Sequence, residues 1–97
     1  MHYNFEWDPI KAKSNFQKHK VSFKRAAEIF LDPFMLSIYD KQHSELEDRW
    51  ITIGKDSNNI PIVVIHTFRE VNSEDSIIRI ISARKATKKE AKHYNLR

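Results

Sequence analysis

Two arginines interrupt an apolar, strand-like stretch near the C-terminus. The sequence SIIRIISARKATKKE, from Ser76 to Glu90, sets Arg79 among isoleucines and puts Arg84 at the end of the apolar run. A guanidinium among apolar side chains is costly unless an acid pairs with it or a binding site opens beside it. Side chains alternate on a regular strand, which predicts two largely apolar faces and hence a central, covered strand. One face would hold Ile78, Ile80, Ser82 and Arg84, and the other Ile77, Arg79, Ile81 and Ala83.

Metal-free cleavage of RNA is the reaction class that suits these arginines. The 2′-hydroxyl of RNA can attack its own phosphate, so an enzyme needs a base, an acid and cations rather than a nucleophile. Arginine binds phosphate oxygens in pairs and stays charged. Arg69 ends the preceding predicted strand. If the two strands are neighbours, Arg69, Arg79 and Arg84 can gather near one edge of the sheet.

Each candidate residue has a structural alternative. Each arginine can pair with Glu6, Glu47, Glu70 or another acid, and Glu47 is itself a candidate base. His19 can act as acid or base, or cap the C-terminus of a helix. Tyr94 can contact RNA or pack its helix on the sheet. The full candidate set is catalytic Arg84, Arg69, Arg79, His19 and Glu47, and RNA-binding Lys18, Lys85, Lys88 and Tyr94.

Other side chains that could do chemistry are assigned simpler roles. We expect His66, inside an apolar strand, to be a hydrogen-bonded core histidine. Trp7 and Trp50 are expected in the core, and Asp40 and His43 beside a cleft.

Composition removes several kinds of active site. The chain has no cysteine and a single glycine, which excludes disulfides, thiolate chemistry and glycine-rich phosphate loops. The five histidines show no ligand spacing, and the predicted strands lack clustered carboxylates. No metal and no cofactor is therefore predicted.

Positive charge is concentrated at the C-terminus. Of the net charge of +4, residues 83–97 contribute six cations and one acid, so residues 1–82 are slightly acidic. A polyanion would be drawn to this end of the fold, although a solvated lysine-rich helix is the simpler reading.

Hydrophobic periodicity predicts an α+β domain with the order β-α-α-β-β-β-β-α. A short strand precedes a helix capped by Asp8, and a second helix follows Ser22 with an apolar stripe from Phe23 to Leu31. Four strands with a period of two come next and predict a mostly antiparallel sheet. Thr87 and Glu90 form a capping-box signature for the last helix. We expect one domain over residues 1–97, with no signal peptide and no membrane span.

The assembled motifs closely resemble the BrnT family of bacterial type II toxins. The resemblance covers nearly the whole chain, in family order. Its parts are FEWD from Phe5, Lys11, Asn15 and KHKVSF from Lys18, AAEIFLDP, Asp40, His43, Glu47 to Trp50, Ile53-Gly54, Thr67 to Arg69, RIISARKA from Arg79, Glu90 and Tyr94.

The resemblance implies a small cytoplasmic ribonuclease with a RelE-like fold that shuts down translation. It also implies a BrnA-like antitoxin that neutralises the toxin in a heterotetramer built on an antitoxin dimer. That complex would repress its own promoter, with operator DNA contacted mainly by the antitoxin.

One position departs from the family pattern. Lys20 stands where the family usually has glycine, so a turn beside His19 must be made by a residue with a side chain. Two alternatives to a nuclease are a non-catalytic module that binds nucleic acid or protein, and a degenerate homologue whose site is spoiled at this loop.

Overall fold

The computed structural model describes residues 2–96, and its main elements follow the predicted order. The α+β class is thereby confirmed. The strands are β1 (His2–Glu6), β2 (Leu36–Tyr39), β3 (Trp50–Lys55), β4 (Pro61–Glu70) and β5 (Asp75–Lys85), and the helices are α1 (Pro9–His19), α2 (Phe23–Glu28) and α3 (Lys88–Asn95).

The five strands form one mixed sheet in the order β1-β5-β4-β3-β2. Strands β2 to β5 form an antiparallel meander, as predicted. Strand β1 runs parallel to β5, so the expectation of a mostly antiparallel sheet needs correction at this edge. The chain leaves β1 through two helices and returns by the meander, which brings the last strand alongside the first in the same direction. Strand β5 is interior, and β1 and β2 are the edges.

The core lies between the sheet and α1 and α2, on the side that we call the helix face. Helix α2 continues into a 3₁₀ turn, Ile29–Leu31, which packs against β3 at Gly54. A Cβ atom at Gly54 would stand 3.0 Å from the Ile29 Cβ, so glycine is what permits this approach. The buried core residues are Val21, Phe23, Ala26, Ile29, Phe30, Ile62, Val64, Ile78, Ile80 and Ala83.

Helix α1 lies alongside β5 rather than burying an apolar stripe. Asp8 caps it, as predicted, and Pro9 is its first residue, but Ile10 is 80% exposed and Phe16 is 49% exposed. Its inward residues are Ala12 and the buried Asn15. Asn15 donates to the Ala83 carbonyl and accepts from the Ala83 amide, beyond the point where β1 stops pairing with β5. The helix therefore closes an edge of the sheet, which its apolar periodicity did not indicate.

Three large side chains expected in the interior lie nearer the surface. Trp7 is 37% exposed and meets Phe23 edge-on, while Trp50 is half-buried against Tyr39. Leu31 is 84% exposed, because the tightening of the last turn to a 3₁₀ geometry rotates it off the helical stripe.

Helix α3 begins at the predicted capping box. The Thr87 hydroxyl accepts from the Glu90 amide, and the Glu90 carboxylate accepts from the Thr87 amide. The helix stands against the side of the sheet opposite to α1 and α2, which we call the second face. Within residues 2–96 no helix has the length and apolar character needed to cross a membrane.

A candidate RNA-binding and catalytic face

An irregularity in strand pairing puts Arg79 and Arg84 on the same face. Ile65 pairs with Ser82 and His66 pairs with Ile80, which leaves Ile81 without a partner on β4. The extra residue is a β-bulge, and it reverses the alternation beyond it. Ala83 therefore joins Ile80 in the core, and Arg84 turns to the second face with Arg79. The face assignment from the sequence holds up to Ile80 and is wrong after it.

Arg79 forms an ion pair with Glu47 on the second face. Its Nη2 donates to Glu47 Oε2, and the two side chains are 39% and 35% exposed. Glu47 belongs to the loop between β2 and β3, so the loop reaches over the sheet to meet β5. Of the acids considered as partners for Arg79, Glu47 is the one that pairs with it, and the pair stays open to solvent. The site thus presents a guanidinium and a carboxylate together at an accessible surface.

Arg49 joins this pair and was missed as a candidate. Its Nη2 lies 3.6 Å from Glu47 Oε1, which places the carboxylate between two guanidiniums. Its Nε is buried and has no hydrogen-bond partner among residues 2–96. Arg49 falls within the Glu47–Trp50 motif, which was the available signal. The alternation of side chains along a strand could not show that the Arg49 side chain turns towards Glu47 in this loop.

Arg69 lies diagonally across from Arg79 on the same face. Arg79 pairs with Thr67, and Arg69 pairs with Ile77. Diagonal positions of this kind are about 7–8 Å apart, within reach of long side chains. Arg69 is exposed and makes no ion pair among the described residues. We call Arg69, Arg79, Arg49 and Glu47 the arginine cluster.

Arg84 occupies the other end of the face. It lies five residues from Arg79, roughly 15 Å along the strand, and so stands apart from the arginine cluster. Its Nη1 and Nη2 donate to the two oxygens of Glu90 at 2.7 and 2.9 Å. These hydrogen bonds lower the pKa of Glu90 to about 2 and raise the pKa of Arg84. Arg84 is therefore a guanidinium held in place by the first turn of α3.

Two of the predicted basic residues follow Arg84 in the chain, and two end α1. Lys85 and Lys88 are exposed at the junction of β5 and α3. Lys18 is exposed and His19 half-buried at the end of α1, where cations stabilise the helix terminus. Within the described chain neither has a hydrogen bond or ion pair with Glu47 or an arginine. The geometry therefore leaves the capping alternative for His19 in place.

Tyr94 serves packing in this structure. It is 7% exposed, and its hydroxyl donates to Asp32, after the 3₁₀ turn. Burial disfavours the charged form of Asp32, but hydrogen bonds from Tyr94 and the Lys55 and Phe34 amides outweigh that effect and lower its pKa. The contact ties α3 to the rest of the domain. This favours the packing role of Tyr94 over RNA contact.

His66 is hydrogen-bonded in the interior, as expected. Its Nδ1 lies 3.0 Å from the Thr67 carbonyl and its Nε2 lies 2.6 Å from the Thr52 hydroxyl. A carbonyl only accepts, so Nδ1 carries the proton and Thr52 donates to Nε2. Burial lowers the pKa of His66 and keeps it neutral. His66 is therefore a structural residue of the core and takes no part in chemistry at the second face.

The loop that carries Glu47 is ordered by its own polar contacts. His43 is exposed and pairs with Asp40 at 3.0 Å, and the Asp40 amide donates to the Arg49 carbonyl. The Tyr39 hydroxyl donates to Asp48. Within residues 2–96 no three His, Asp or Glu side chains are grouped as metal ligands.

The second face can therefore hold an anionic strand at two positions. The arginine cluster supplies a carboxylate that can accept a proton beside guanidiniums that can bind a phosphate. Arg84 supplies a second cationic position suited to another phosphate of the same strand, and Lys88 is exposed in the first turn of α3, whereas Lys85, opposite Ile62, alternates to the helix face.

Comparisons with known proteins show the family of this chain. A family model described as "Ribonuclease toxin, BrnT, of type II toxin-antitoxin system" matches residues 7–90. The 1.1 Å crystal structure of the Brucella abortus ribonuclease toxin BrnT matches with 29% sequence identity and a TM-score of 0.58. That match covers 91% of this chain and 100% of the Brucella chain. No curated protein sequence matches. The chain belongs to the BrnT family of ribonuclease toxins of type II toxin–antitoxin systems.

Proposed function

We propose that this toxin cleaves RNA at the arginine cluster without a metal ion. The observation that carries the proposal is the Arg79–Glu47–Arg49 arrangement, in which a solvent-accessible carboxylate lies between two guanidiniums. Glu47 would accept the proton of a 2′-hydroxyl as that oxygen attacks the adjacent phosphorus. Arg79, with Arg69 beside it, would bind the phosphate oxygens on which negative charge accumulates.

Arg84 has a separate part in the proposal. It stands too far along β5 to contact the same phosphate, so we assign it to a neighbouring phosphate, with Lys88. Lys85 remains a predicted RNA contact. Lys18 remains a predicted RNA contact, and His19 remains a predicted acid or base. The acid that protonates the leaving oxygen is assigned to no single residue.

The biological setting follows from the family. We infer that cleavage inhibits translation in the cytoplasm and that a BrnA-like antitoxin neutralises the toxin in a heterotetramer. The toxin would reach operator DNA only through the antitoxin. The RelE-like relationship of the fold stays a prediction.

Substitution of Arg79 tests the cleavage proposal. Purified toxin is incubated with end-labelled RNA in EDTA, with and without ribosomes, and cleavage rates are measured on gels. Because Arg79 would stabilise charge in the transition state, we expect Arg79→Gln to lower the rate by at least about 100-fold. Glu47→Gln should cause a loss of the same order by removing the base.

Lys24→Gln is the matched control, because it removes one positive charge from an exposed position on α2, across the sheet from the site. It should cleave like the wild type. Equal losses in Arg79→Gln and Lys24→Gln would contradict a specific role for Arg79. Loss of wild-type activity in EDTA, restored by Mg²⁺, would contradict metal independence.

A binding module is the second candidate, and the pairing of both Arg79 and Arg84 with acids of this chain favours it. In that case Arg84→Ala would weaken RNA binding, and no variant would change a cleavage pattern, since the wild type would produce none. Growth arrest on expression of the wild type together with RNA fragments would exclude this function.

A further inference from the structure

An apolar groove lies on the second face, between the edge strand β2 and helix α3. Its floor is aliphatic and consists of Leu36, Ile38, Ile51, Ile53 and Val63. Strand pairing explains this floor, since Leu36 is opposite Ile53 and Ile38 is opposite Ile51. The groove has a volume of about 600 Å³. It is separate from the arginine cluster but belongs to the same side of the sheet.

The floor is exposed at the edge of the sheet. Ile38 is 60% exposed, and Leu96, at the end of α3, is 74% exposed and lines the same groove. An edge strand with exposed aliphatic side chains is a liability that proteins normally cover or charge. Strand β2 carries no charged residue, and within the described chain no element pairs with its outer edge.

The wall of the groove is basic. Helix α3 contributes Lys89, Lys92 and His93, all exposed. Its one acid at the groove, Glu90, is engaged by Arg84 and by the cap of the helix. An occupant therefore needs aliphatic side chains against the floor and acidic side chains against α3.

These features separate the possible occupants. RNA would bring phosphates to α3, but the floor has no aromatic ring on which a base could stack. A second copy of this chain would set one basic α3 against another in a symmetric contact. A partner segment with one aliphatic side and one acidic side satisfies both requirements.

We infer that the antitoxin docks in this groove through an acidic, aliphatic-faced segment. The inference rests on the proposed function, since it is the toxin activity that an antitoxin neutralises. A segment seated here would also cover Glu90 and the approach to Arg84. Neutralisation then needs no contact with the arginine cluster itself.

The test uses full-length toxin and the protein encoded by the gene adjacent to its own, with affinity measured by titration calorimetry. Ile38→Asp places a negative charge on the groove floor, and Lys92→Glu reverses the charge of one side chain on the basic wall. Each should weaken binding by about 30-fold or more, as for central interface residues. Ile10→Asp and Lys24→Glu are the matched controls on α1 and α2 and should bind like the wild type.

RNA cleavage measured without the partner separates the two proposals. Ile38→Asp should still cleave RNA and should arrest growth even when the partner is co-expressed. A wild type that binds the partner in the groove but cleaves no RNA would refute the proposed function and leave the docking site standing.

Unchanged affinity in both groove variants, or no binding by the wild type, would overturn the docking site. Conversion of a wild-type homodimer to monomer by Ile38→Asp, or loss of RNA binding in that variant, would overturn it too. Since Lys92 is exposed, its variant keeps the test valid if Ile38→Asp fails to fold.

Discussion

At the scale of single residues, the buried amide of Asn15 takes the place of a strand. Strand β1 pairs with β5 only as far as Arg79, so the backbone of Ala83 has no strand beside it on that edge. The Asn15 side chain satisfies both the amide and the carbonyl of Ala83, and it also donates to the Val21 carbonyl at 3.1 Å. One side chain thus joins α1, the loop after it and β5.

Removal of this amide should be costly for its size. Asn15→Ala removes three hydrogen bonds and leaves the buried Ala83 groups unpaired, so we expect a loss of about 3 kcal/mol in the free energy of unfolding. Urea denaturation measures the change. Gln17→Ala, which removes an exposed amide from the same helix, should change stability little. Similar losses in both variants would mean that the hydrogen bonds of Asn15 to Ala83 and Val21 contribute no special stability.

Arg79 and Arg84 also differ at this scale. Both have a carboxylate partner, but Glu47 is on a loop and is shared with Arg49, whereas Glu90 is held by the cap of α3. The Arg79 pair therefore joins a loop to a strand. The Arg84 pair is fixed to a helix and a strand at once.

At the scale of elements, the end of α1 is strained by its own sequence. Lys20 caps the helix with φ 60° and ψ 26°, in the left-handed region where a Cβ is unfavourable. The sequence predicted that a residue with a side chain makes this turn, and the structure confirms it. Asn59, also with positive φ, makes the β3–β4 turn, and asparagine tolerates that conformation better.

Lys20→Gly should therefore stabilise the protein. Relief of the left-handed strain is worth about 1 kcal/mol, while the greater freedom of glycine in the unfolded chain and the loss of the Lys20–Phe16 contact oppose it. We expect a net gain of about 0.5 kcal/mol, measured by thermal unfolding. Lys13→Gly, inside the same helix, should instead destabilise by about 1 kcal/mol. If Lys20→Gly destabilises by as much, the strain is absent. A gain in cleavage rate would support the view that this loop has spoiled the site.

Local signals predicted the elements well, and long-range pairing explains what they missed. Helix caps at Asp8, Ser22 and Thr87 depend on neighbouring residues, so they could be read from the sequence. The bulge at Ile81 could not, because it depends on the register with β4. That single residue decides whether Arg84 shares a face with Arg79. The parallel placement of β1 is likewise a property of the whole sheet.

At the scale of the whole molecule, three carboxylates with lowered pKa values connect helices to strands or to other helical segments. Asp32 connects the 3₁₀ turn to α3 and β3, and Glu90 connects α3 to β5. Asp56, after β3, pairs with Arg25 of α2. Burial disfavours the charge on Asp56, but hydrogen bonds from Arg25 and nearby amides prevail and lower its pKa. Each of these contacts is stronger with the ionised acid than with the protonated one.

Acid should therefore weaken the attachment of α3 to the sheet. The pKa of Glu90 is about 2 when folded and 4.5 in its unperturbed form, so its stabilisation is present above pH 4.5 and disappears as the pH falls towards 2. Because the pair is partly exposed, we expect it to contribute about 1 kcal/mol after solvent screening.

Glu90→Gln keeps an amide that can still cap the helix but cannot titrate. The difference in stability between wild type and Glu90→Gln, from urea denaturation at a series of pH values, should shrink between pH 4.5 and 2. A difference that does not change with pH would contradict a stabilising role for the ionised Glu90 carboxylate.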